Sequence, residues 1–595
     1  MSGELIMMSF IKNTAVCILW FFLTTTCSTA AIAGSEFIVK YKLNEEQQNT
    51  LANASVSGEI ARANAEKAIR IEIMKKGLSE EQKNYLLKSA NSVSDKITQI
   101  MRIIPIAIGA FSVSFDNDLD EKQVEEFIKK ISNSSDIEYI EAETRLVLEV
   151  TAVPLKDINP DYQWDMVDKT GFTKKPQWTG DNFFKAWKLV GEGGGSPGRD
   201  VVIAVLDTGY TPHPNFINNL LPSSPGKNTY GYKFISDCRS SGECSTIMAP
   251  IHAQNHPHSR YEEDGLDLGD FLDKSDIANL GLDPSKHKPS DSSWHGSHVI
   301  GTIVASGYDP NSNPDYITGG AYGAKVIPIR VLGKMGGVER DIINGMLWAA
   351  GHPVLNVDGS PIPNNPNPAK IINMSLGNVS QFGCSRAYQN TINQLTSSGV
   401  IVVVSAGNAS VDIKGTSLAS CNGMVSVAAI GPDNKLAFYS NYGNTTLSAS
   451  GGNYNVLGDL SMIYSTVWSS SQVYEPSPYG SGVWKAMQGT SMAAPHVTAA
   501  IAILIGEGGA ADYNSLVHIL QKNARNYGNC NNTGCATNYA LDVENATKDV
   551  LGKGKFSFLN LNSDSFAGLA TVTGIIVIAT TAYVLYFKIP QPVPA

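Results

Sequence analysis

The chain has 595 residues, of which 43% are hydrophobic and 17% charged, with 54 glycines. That composition excludes a disordered chain, a collagen-like repeat and a multi-span membrane protein, and the length allows two or more folded units. The formal net charge is -10, and basic runs go no further than pairs such as Lys75-Lys76, Lys129-Lys130 and Lys174-Lys175, so there is no basic patch for nucleic acid.

The first element in chain order is a leader. Residues 13 to 23 form a short apolar core after Lys12, and small residues follow, ending Ala31-Ile32-Ala33-Gly34. This is the layout of a secretory signal peptide over 1–33, cut after Ala33. The alternative is an uncleaved anchor, for which the apolar core is short. Glu4 is unusual in such a leader, and Met7 and Met8 offer later starts.

Residues 35–152 read as a small α/β unit without tryptophan or cysteine. The pattern predicts a strand over Phe37 to Tyr41, helices over Gly58 to Lys76 and Ser79 to Met101, and a strand over Ile106 to Phe115. Asp120, with Gln123 three residues on, forms a capping box for a helix whose apolar face is Val124, Phe127, Ile128 and Ile131. An alternating strand over Asp136 to Val150 follows. No candidate site appears in this unit. The stretch Val153 to Pro160 carries prolines and turn formers and reads as a linker or processing region.

From about 161 to 550, short solidly apolar runs alternate with helical segments. Val201 to Leu206, Lys325 to Val331, Ile371 to Met374, Val400 to Val404 and Met424 to Ala428 read as parallel strands buried on both faces. Helices are expected over Arg340 to Ala350, Ser385 to Ser397 and Ser491 to Ile505. The expected architecture is α/β, three layers around a central parallel sheet. Last comes Phe566 to Phe587, 22 residues with no charge, enough at helical rise to cover roughly 33 Å. It reads as a C-terminal transmembrane segment, with a removable sorting signal or a buried helix as alternatives.

Outside the leader, with its Cys17 and Cys27, six cysteines remain: Cys238 and Cys244, Cys384 and Cys421, Cys530 and Cys535. In an exported chain an even number suggests disulfides, and six allow 15 pairings. Zinc fits poorly without a C-x-x-C pair or adjacent histidines. Spacing alone pairs Cys238 with Cys244.

Three segments fall where open α/β sheets place their sites, at the carboxyl ends of strands. Val201 to Leu206 ends in Asp207-Thr208-Gly209, where the acid is either a turn cap or functional. His295-Gly296-Ser297-His298 opens an apolar helix; its small residues allow close packing around the first imidazole, and His298 reads as structural. Gly489-Thr490-Ser491-Met492-Ala493 opens another, with Pro495 expected in its first turn. A serine there is either an N-cap or a nucleophile aided by the helix dipole. Together they supply acid, base and nucleophile in the order Asp, His, Ser, which is neither the chymotrypsin nor the α/β-hydrolase order.

These three segments resemble the active-site signatures of the subtilisin-like serine proteases, or subtilases. Ser405-Ala406-Gly407-Asn408 is similar to the family's oxyanion-hole segment, and Ile372 to Gly377 to its substrate-pairing strand. The resemblance implies a serine endopeptidase with Asp207, His295 and Ser491 as triad and Asn408 as oxyanion donor. It further implies Ser375, Leu376 and Gly377 as the strand that pairs with protein substrates. It implies that residues 35–152 are an inhibitory propeptide, the chain's own intramolecular partner, with the junction between Leu148 and Lys156 and the peptidase domain over 153–550. It also implies disulfides Cys384–Cys421 and Cys530–Cys535. No cofactor is required for the chemistry. A broad endopeptidase, a tethered processing protease and an inactive binding module share these features.

Two departures concern metal. His213-Pro214-Asn215 replaces the family's His-Pro-Asp. The acidic insertion Glu262 to Asp270 reads as either a structural Ca²⁺ site or a solvated loop. The expected location is outside the cytoplasm: periplasmic, cell-surface or extracellular, held to a membrane by the C-terminal segment unless that is cut off.

Overall fold

The computed structural model describes residues 36–146, 151–153, 163–167, 178–236, 261–279, 282–306, 317–377, 383–470, 482–509, 511–526 and 539–559. The leader, Cys238, Cys244, Cys530, Cys535 and the run 566–587 lie outside these residues. Among the described residues no helix is long and apolar enough to cross a membrane.

The N-terminal unit begins with β1 (Glu36–Tyr41) and the helices α1 (Glu45–Val56), α2 (Glu59–Lys76) and α3 (Glu80–Asn91). It continues through β2 (Ile100–Ile106), β3 (Ala110–Phe115), α4 (Glu121–Ser132) and β4 (Ile137–Ala142). The strands form an antiparallel sheet in the order β2-β3-β1-β4. Asp120 accepts from the Gln123 amide and the Gln123 side chain returns the bond, as the sequence predicts. Three expectations change. The helix expected over Ser79 to Met101 stops at Asn91, and Ile100 onward is strand. The strand expected over Ile106 to Phe115 is the second half of a hairpin that turns at Ala107–Gly109, where Gly109 has φ 77°. The strand expected to run to Val150 breaks after Ala142 and resumes as β5 (Arg145–Leu146).

One sheet face packs Phe37, Phe111, Val113 and Phe115 on Leu86 of α3 and Phe127 of α4. The other carries Ile38, Ala110 and Tyr139 into an apolar cluster shared with the large unit.

The large unit is built on a ten-stranded sheet. After β6 (Thr151–Val153) its strands are β7 (Val202–Asp207), β8 (Tyr232–Lys233), β9 (Glu262–Glu263), β10 (Lys325–Arg330), β12 (Ile371–Met374), β13 (Ile401–Ser405), β14 (Val425–Ile430), β15 (Leu447–Ser450), β18 (Arg525–Asn526) and β19 (Tyr539–Ala540). The spatial order is β18-β19-β15-β14-β13-β12-β7-β10-β8-β9, parallel except at the outermost pairs β8–β9 and β18–β19. Alternate residues serve opposite faces, as strand geometry requires. Ile203, Val205, Ile401 and Val403 join one core, with helices α5 (Phe183–Glu192), α6 (His295–Val304), α9 (Thr490–Gly506), α10 (Tyr513–Lys522) and α11 (Val543–Leu559). Ala204, Leu206, Val402 and Val404 join the other, with α7 (Glu339–Ala349) and α8 (Arg386–Ser397). This is the three-layer α/β architecture expected from the apolar runs. Outside the main sheet, β11 (Gly337–Val338) pairs with β5, and a hairpin of β16 (Ile463–Trp468) and β17 (Gly482–Gln488) pairs with β6.

Candidate active site

Asp207 is the last residue of β7, and His295 is the first of α6. Both side chains are fully buried. The His295 Nδ1–H donates to Asp207 Oδ1 at 2.7 Å, and the Thr208 amide donates to the same oxygen at 2.7 Å. Gly296 allows the approach: a Cβ there would lie 2.1 Å from the Gly209 carbonyl oxygen. The fixed carboxylate sets the tautomer and leaves Nε2 as the ring's reactive position. That atom has no hydrogen-bond partner among the described residues.

Ser491 is the second residue of α9. Its Oγ donates to the Ser375 carbonyl at 3.2 Å, and the Ser375 hydroxyl donates to the Ser491 carbonyl at 2.8 Å. The second bond follows from a proline. Pro495 stands inside the helix, beyond the first turn where the sequence reading puts it. It has no N–H for the carbonyl four residues back. That carbonyl belongs to Ser491, and Ser375 fills it. The structure therefore couples the serine to the strand Ser375–Gly377, while the serine hydroxyl faces Ser375 rather than His295.

Asn408 follows β13 at the same end of the sheet. Its Oδ1 accepts from the Thr490 amide and hydroxyl, each at 2.9 Å, which fixes the carboxamide beside Ser491. The preceding Gly407 has φ 101°, and a Cβ would lie 2.4 Å from Asn441 Nδ2. Asn441 in turn accepts from the amides of Ala409 and Val411, at 3.0 Å each. Ser375 and Leu376 extend β12 and are buried; Gly377 is half-buried with open space beside it. The expected Cys384–Cys421 disulfide is present and joins the loops that follow Gly377 and Asn408.

His298 is structural, as expected. Its Nε2–H donates to the Lys485 carbonyl at 3.1 Å, and burial, followed by the neighbouring His295, lowers its pKa to about 3. A second His–Asp pair escaped the sequence reading. His496 Nε2–H donates to Asp165 Oδ2 at 2.9 Å and its Nδ1–H to the Met492 carbonyl at 2.7 Å. Burial opposes a charge on this ring, but the Asp165 bond and charge, with Asp181 behind, outweigh it and raise its pKa. The pair ties the first described residues after β6 to the back of α9. Nothing in sequence links positions 165 and 496.

The acidic insertion has protein partners for each carboxylate. Glu262 pairs with Lys233 at 2.6 Å; Glu263 pairs with Lys227 and accepts from Ser223; Asp264 accepts from Tyr210. Asp267 accepts from Thr208, and Asp270 from Ser293. Among the described residues no group of three or more His, Cys, Asp or Glu could hold a metal ion. This donor set does not fit a calcium cage, which needs six to eight converging oxygens.

Residues 198–544 match the model of the Subtilase family, the S8 peptidases. The chain is 37% identical over 357 residues to "Extracellular basic protease" of Dichelobacter nodosus, covering 58% of this chain and 51% of that protein. It is 31% identical over 419 residues to "Extracellular protease" of Xanthomonas campestris pv. campestris, covering 70% of this chain and 60% of the relative. The chain thus spans about half to three-fifths of the length of these relatives. Among solved structures it is similar to a protease of Pseudoalteromonas arctica, with 34% identity and a TM-score of 0.52 over 66% of this chain and 97% of the other. The parallel sheet, the carboxyl-end placement of Asp207 and Asn408, and a family match across most of the large unit lead to one conclusion: this chain belongs to the subtilase family.

Proposed function

We propose that the chain is the precursor of an exported serine endopeptidase that removes its own N-terminal unit. Ser491 Oγ turns from the Ser375 carbonyl to attack the peptide carbonyl. His295 Nε2 takes its proton and later delivers it to the leaving amine, and Asp207 stabilises the imidazolium. Asn408 Nδ2 and the Ser491 N–H hold the oxyanion. Ser375 to Gly377 pair with the extended substrate.

The observation that carries the reading is the path of the chain between the two units. Arg145–Leu146 pair antiparallel with Val338–Gly337, and Leu146 is buried in the same cluster as Leu376. Thr151–Val153 pair antiparallel with Gln488–Ala486, and Gln488 lies three residues before Ser491. The backbone is thus pinned as an added strand by β11 at Arg145–Leu146 and by β17 at Thr151–Val153, and we assign the bond to be cut to the stretch between Leu146 and Thr151. Docking of the N-terminal unit supports inhibition. Glu141 accepts from the amides of Arg386 and Ala387 at 3.0 and 2.9 Å, at the N-terminus of α8. Glu143 accepts from the Arg340 amide at 2.9 Å, at the N-terminus of α7, and from its guanidinium at 2.6 Å. Carboxylates at both positive helix ends hold the unit against the large unit. Relatives named as extracellular proteases support export. The run 566–587 carries the further proposal of a membrane tether, checked by alkaline extraction of membranes.

Expression of wild type beside Ser491→Ala tests the reading. Wild type should yield a shortened form whose new amino terminus lies within residues 147–151, and it should label with a fluorophosphonate. Ser491→Ala should stay full-length after leader removal and unlabelled. Equal lengths and no labelling of wild type would sink the enzyme reading.

A further inference from the structure

Helix α6, which begins at His295, has an unusual start. Its N-cap residue Trp294 is in the left-handed region, φ 54°, and its side chain caps nothing; the indole N–H goes to the Ser470 carbonyl at 2.6 Å. A non-glycine residue held there is strained and persists only where its surroundings enforce it. The first amides of the helix, which no intrahelical carbonyl can serve, are met from outside. The His295 N–H donates to Ser293 Oγ at 3.2 Å, and the Gly296 N–H donates to Thr208 Oγ1 at 2.9 Å.

Each of these hydroxyls is backed by a carboxylate of the acidic insertion. Thr208 Oγ1–H donates to Asp267 Oδ2 at 2.6 Å. Ser293 Oγ–H donates to Asp270 Oδ2 at 2.7 Å, and the Ser293 amide donates to Asp270 Oδ1 at 2.7 Å. A hydroxyl has one proton. Once the carboxylate takes it, only lone pairs remain to face the helix amide. Two successive amides at the histidine are thereby served by two hydroxyls whose direction is set by two acids.

The insertion is itself anchored to the aspartate loop. The Asp267 amide donates to the Tyr210 carbonyl at 2.8 Å, the Tyr210 amide to the Gly265 carbonyl at 3.0 Å, and the Gly269 amide to Asp267 Oδ1 at 2.9 Å. Asp267 is fully buried; burial, then the Asp270 charge, pushes its carboxyl up to about 7, against the pull of Arg330.

We propose that Asp267 and Asp270 are positioning residues for the Asp207–His295 pair. Through Thr208 and Ser293, they strap the aspartate loop to the start of the histidine helix. This inference rests on the enzyme reading above, and it gives the acidic insertion a role other than metal binding. Asp207 is covalently next to Thr208, and His295 is next to Gly296. The bond Gly296 N–H to Thr208 Oγ1 is therefore a second bridge between the same two loops, parallel to the 2.7 Å catalytic bridge. Loosening it shifts imidazole against carboxylate without touching the substrate strand.

The test uses the full chain carrying Asp267→Ala, Thr208→Val, both together, and Thr208→Ser, with rates normalised to fluorophosphonate-titrated sites. A misplacement of about 1 Å at a reacting group costs up to about 10²-fold. Asp267→Ala and Thr208→Val should each lower kcat by roughly 10–100-fold. KM should stay within about twofold, because ground-state binding is untouched. The double variant should lose no more than the worse single one, since both act through one bridge. Thr208→Ser should recover most of the rate. Wild-type kcat per titrated site, an additive double loss, or a Ser variant no better than Val overturns the proposal. Should Asp267→Ala fail to fold, Asp267→Asn keeps an acceptor for Thr208 and should hold kcat within a few-fold; a loss as deep as Thr208→Val overturns it too. A readout free of turnover separates this from failure of the enzyme reading. The low-field proton resonance of the His295 Nδ1–H to Asp207 bond should broaden or shift in Thr208→Val, and an unchanged resonance overturns the strap even if wild type proves inactive.

Discussion

The two units of the chain bury themselves in different ways. In the large unit, α9 is buried from Thr490 through Leu504, and the central strands are closed on both faces by helices of the same unit. In the N-terminal unit α1 has no buried residue, and the core is a small cluster around Phe37, Phe115 and Phe127, with ring centroids 4.8 to 6.0 Å apart. Its second sheet face shares an apolar cluster with Met74 of its own α2 and with residues of α7 and α8, such as Ile342, Met346 and Tyr388. This cover adds to the packing its own helices α3 and α4 give the first face. The large unit thus completes its central layers from its own sequence, whereas the small one finishes its fold on its partner. The proposed cut would therefore cost the two sides unequally.

Four measurements break or sharpen that contrast. The largest effect is expected for Ser491→Ala: turnover falls by about 10⁶-fold, the size found for subtilisin itself, while both units stay folded and joined. Any residual processing at the wild-type site would break the claim. Next is Glu143→Ala in that uncut background. It leaves the buried Arg340 without its 2.6 Å partner, and removing one member of a buried pair costs about 3–5 kcal/mol. Denaturant unfolding should show the N-terminal unit melting earlier, with the large unit unmoved; a single shift shared by both units would contradict the asymmetry. Asn408→Ala should lower kcat by about 10²–10³-fold with KM and melting behaviour near wild type. Equal loss in KM and kcat would reassign Asn408 to ground-state binding.

The smallest effect is a pH slope. Glu339 is fully buried where Thr144 of the N-terminal unit meets Ser385. Burial, then the Glu141 charge, pushes its carboxyl up to about 8. An acid whose pKa is raised by folding binds more protons folded than unfolded. Its contribution is therefore complete below its unfolded value, 4.5, and is lost as pH climbs through about 8. The uncut Ser491→Ala chain should melt at lower temperature at pH 8.5 than at pH 5. A midpoint that rises over that range would place the proton elsewhere.

What the sequence disclosed follows the same contrast. Strands such as Ile371–Met374 were legible because burial on both faces leaves an unbroken apolar run. The helix at Asp120 was legible because its cap is local. α1 was not, since a helix with no buried face carries no periodic signal. The hairpin turn at Ala107–Gly109 was hidden inside an apolar stretch. At the site, Asp207, His295, Ser491 and Asn408 stand in recognisable local contexts. Asp267, Asp270 and Asp165 do not. Their roles depend on partners 59, 23 and 331 positions away in the chain, and only the fold creates those neighbours.

The Asp165–His496 pair has a consequence for the proposed cut. Gln163 is also held, by two hydrogen bonds to Thr318, so on that proposal the new amino end would be moored at 163–165. The 12 residues from 151 to 162 span at most about 40 Å when extended. After the proposed cut, that reach would let Thr151–Val153 leave the β17 edge without any shift of the large unit. On the proposed processing, the short strand that pairs with β17 would depart and leave the Ala486–Gln488 edge open to an extended segment.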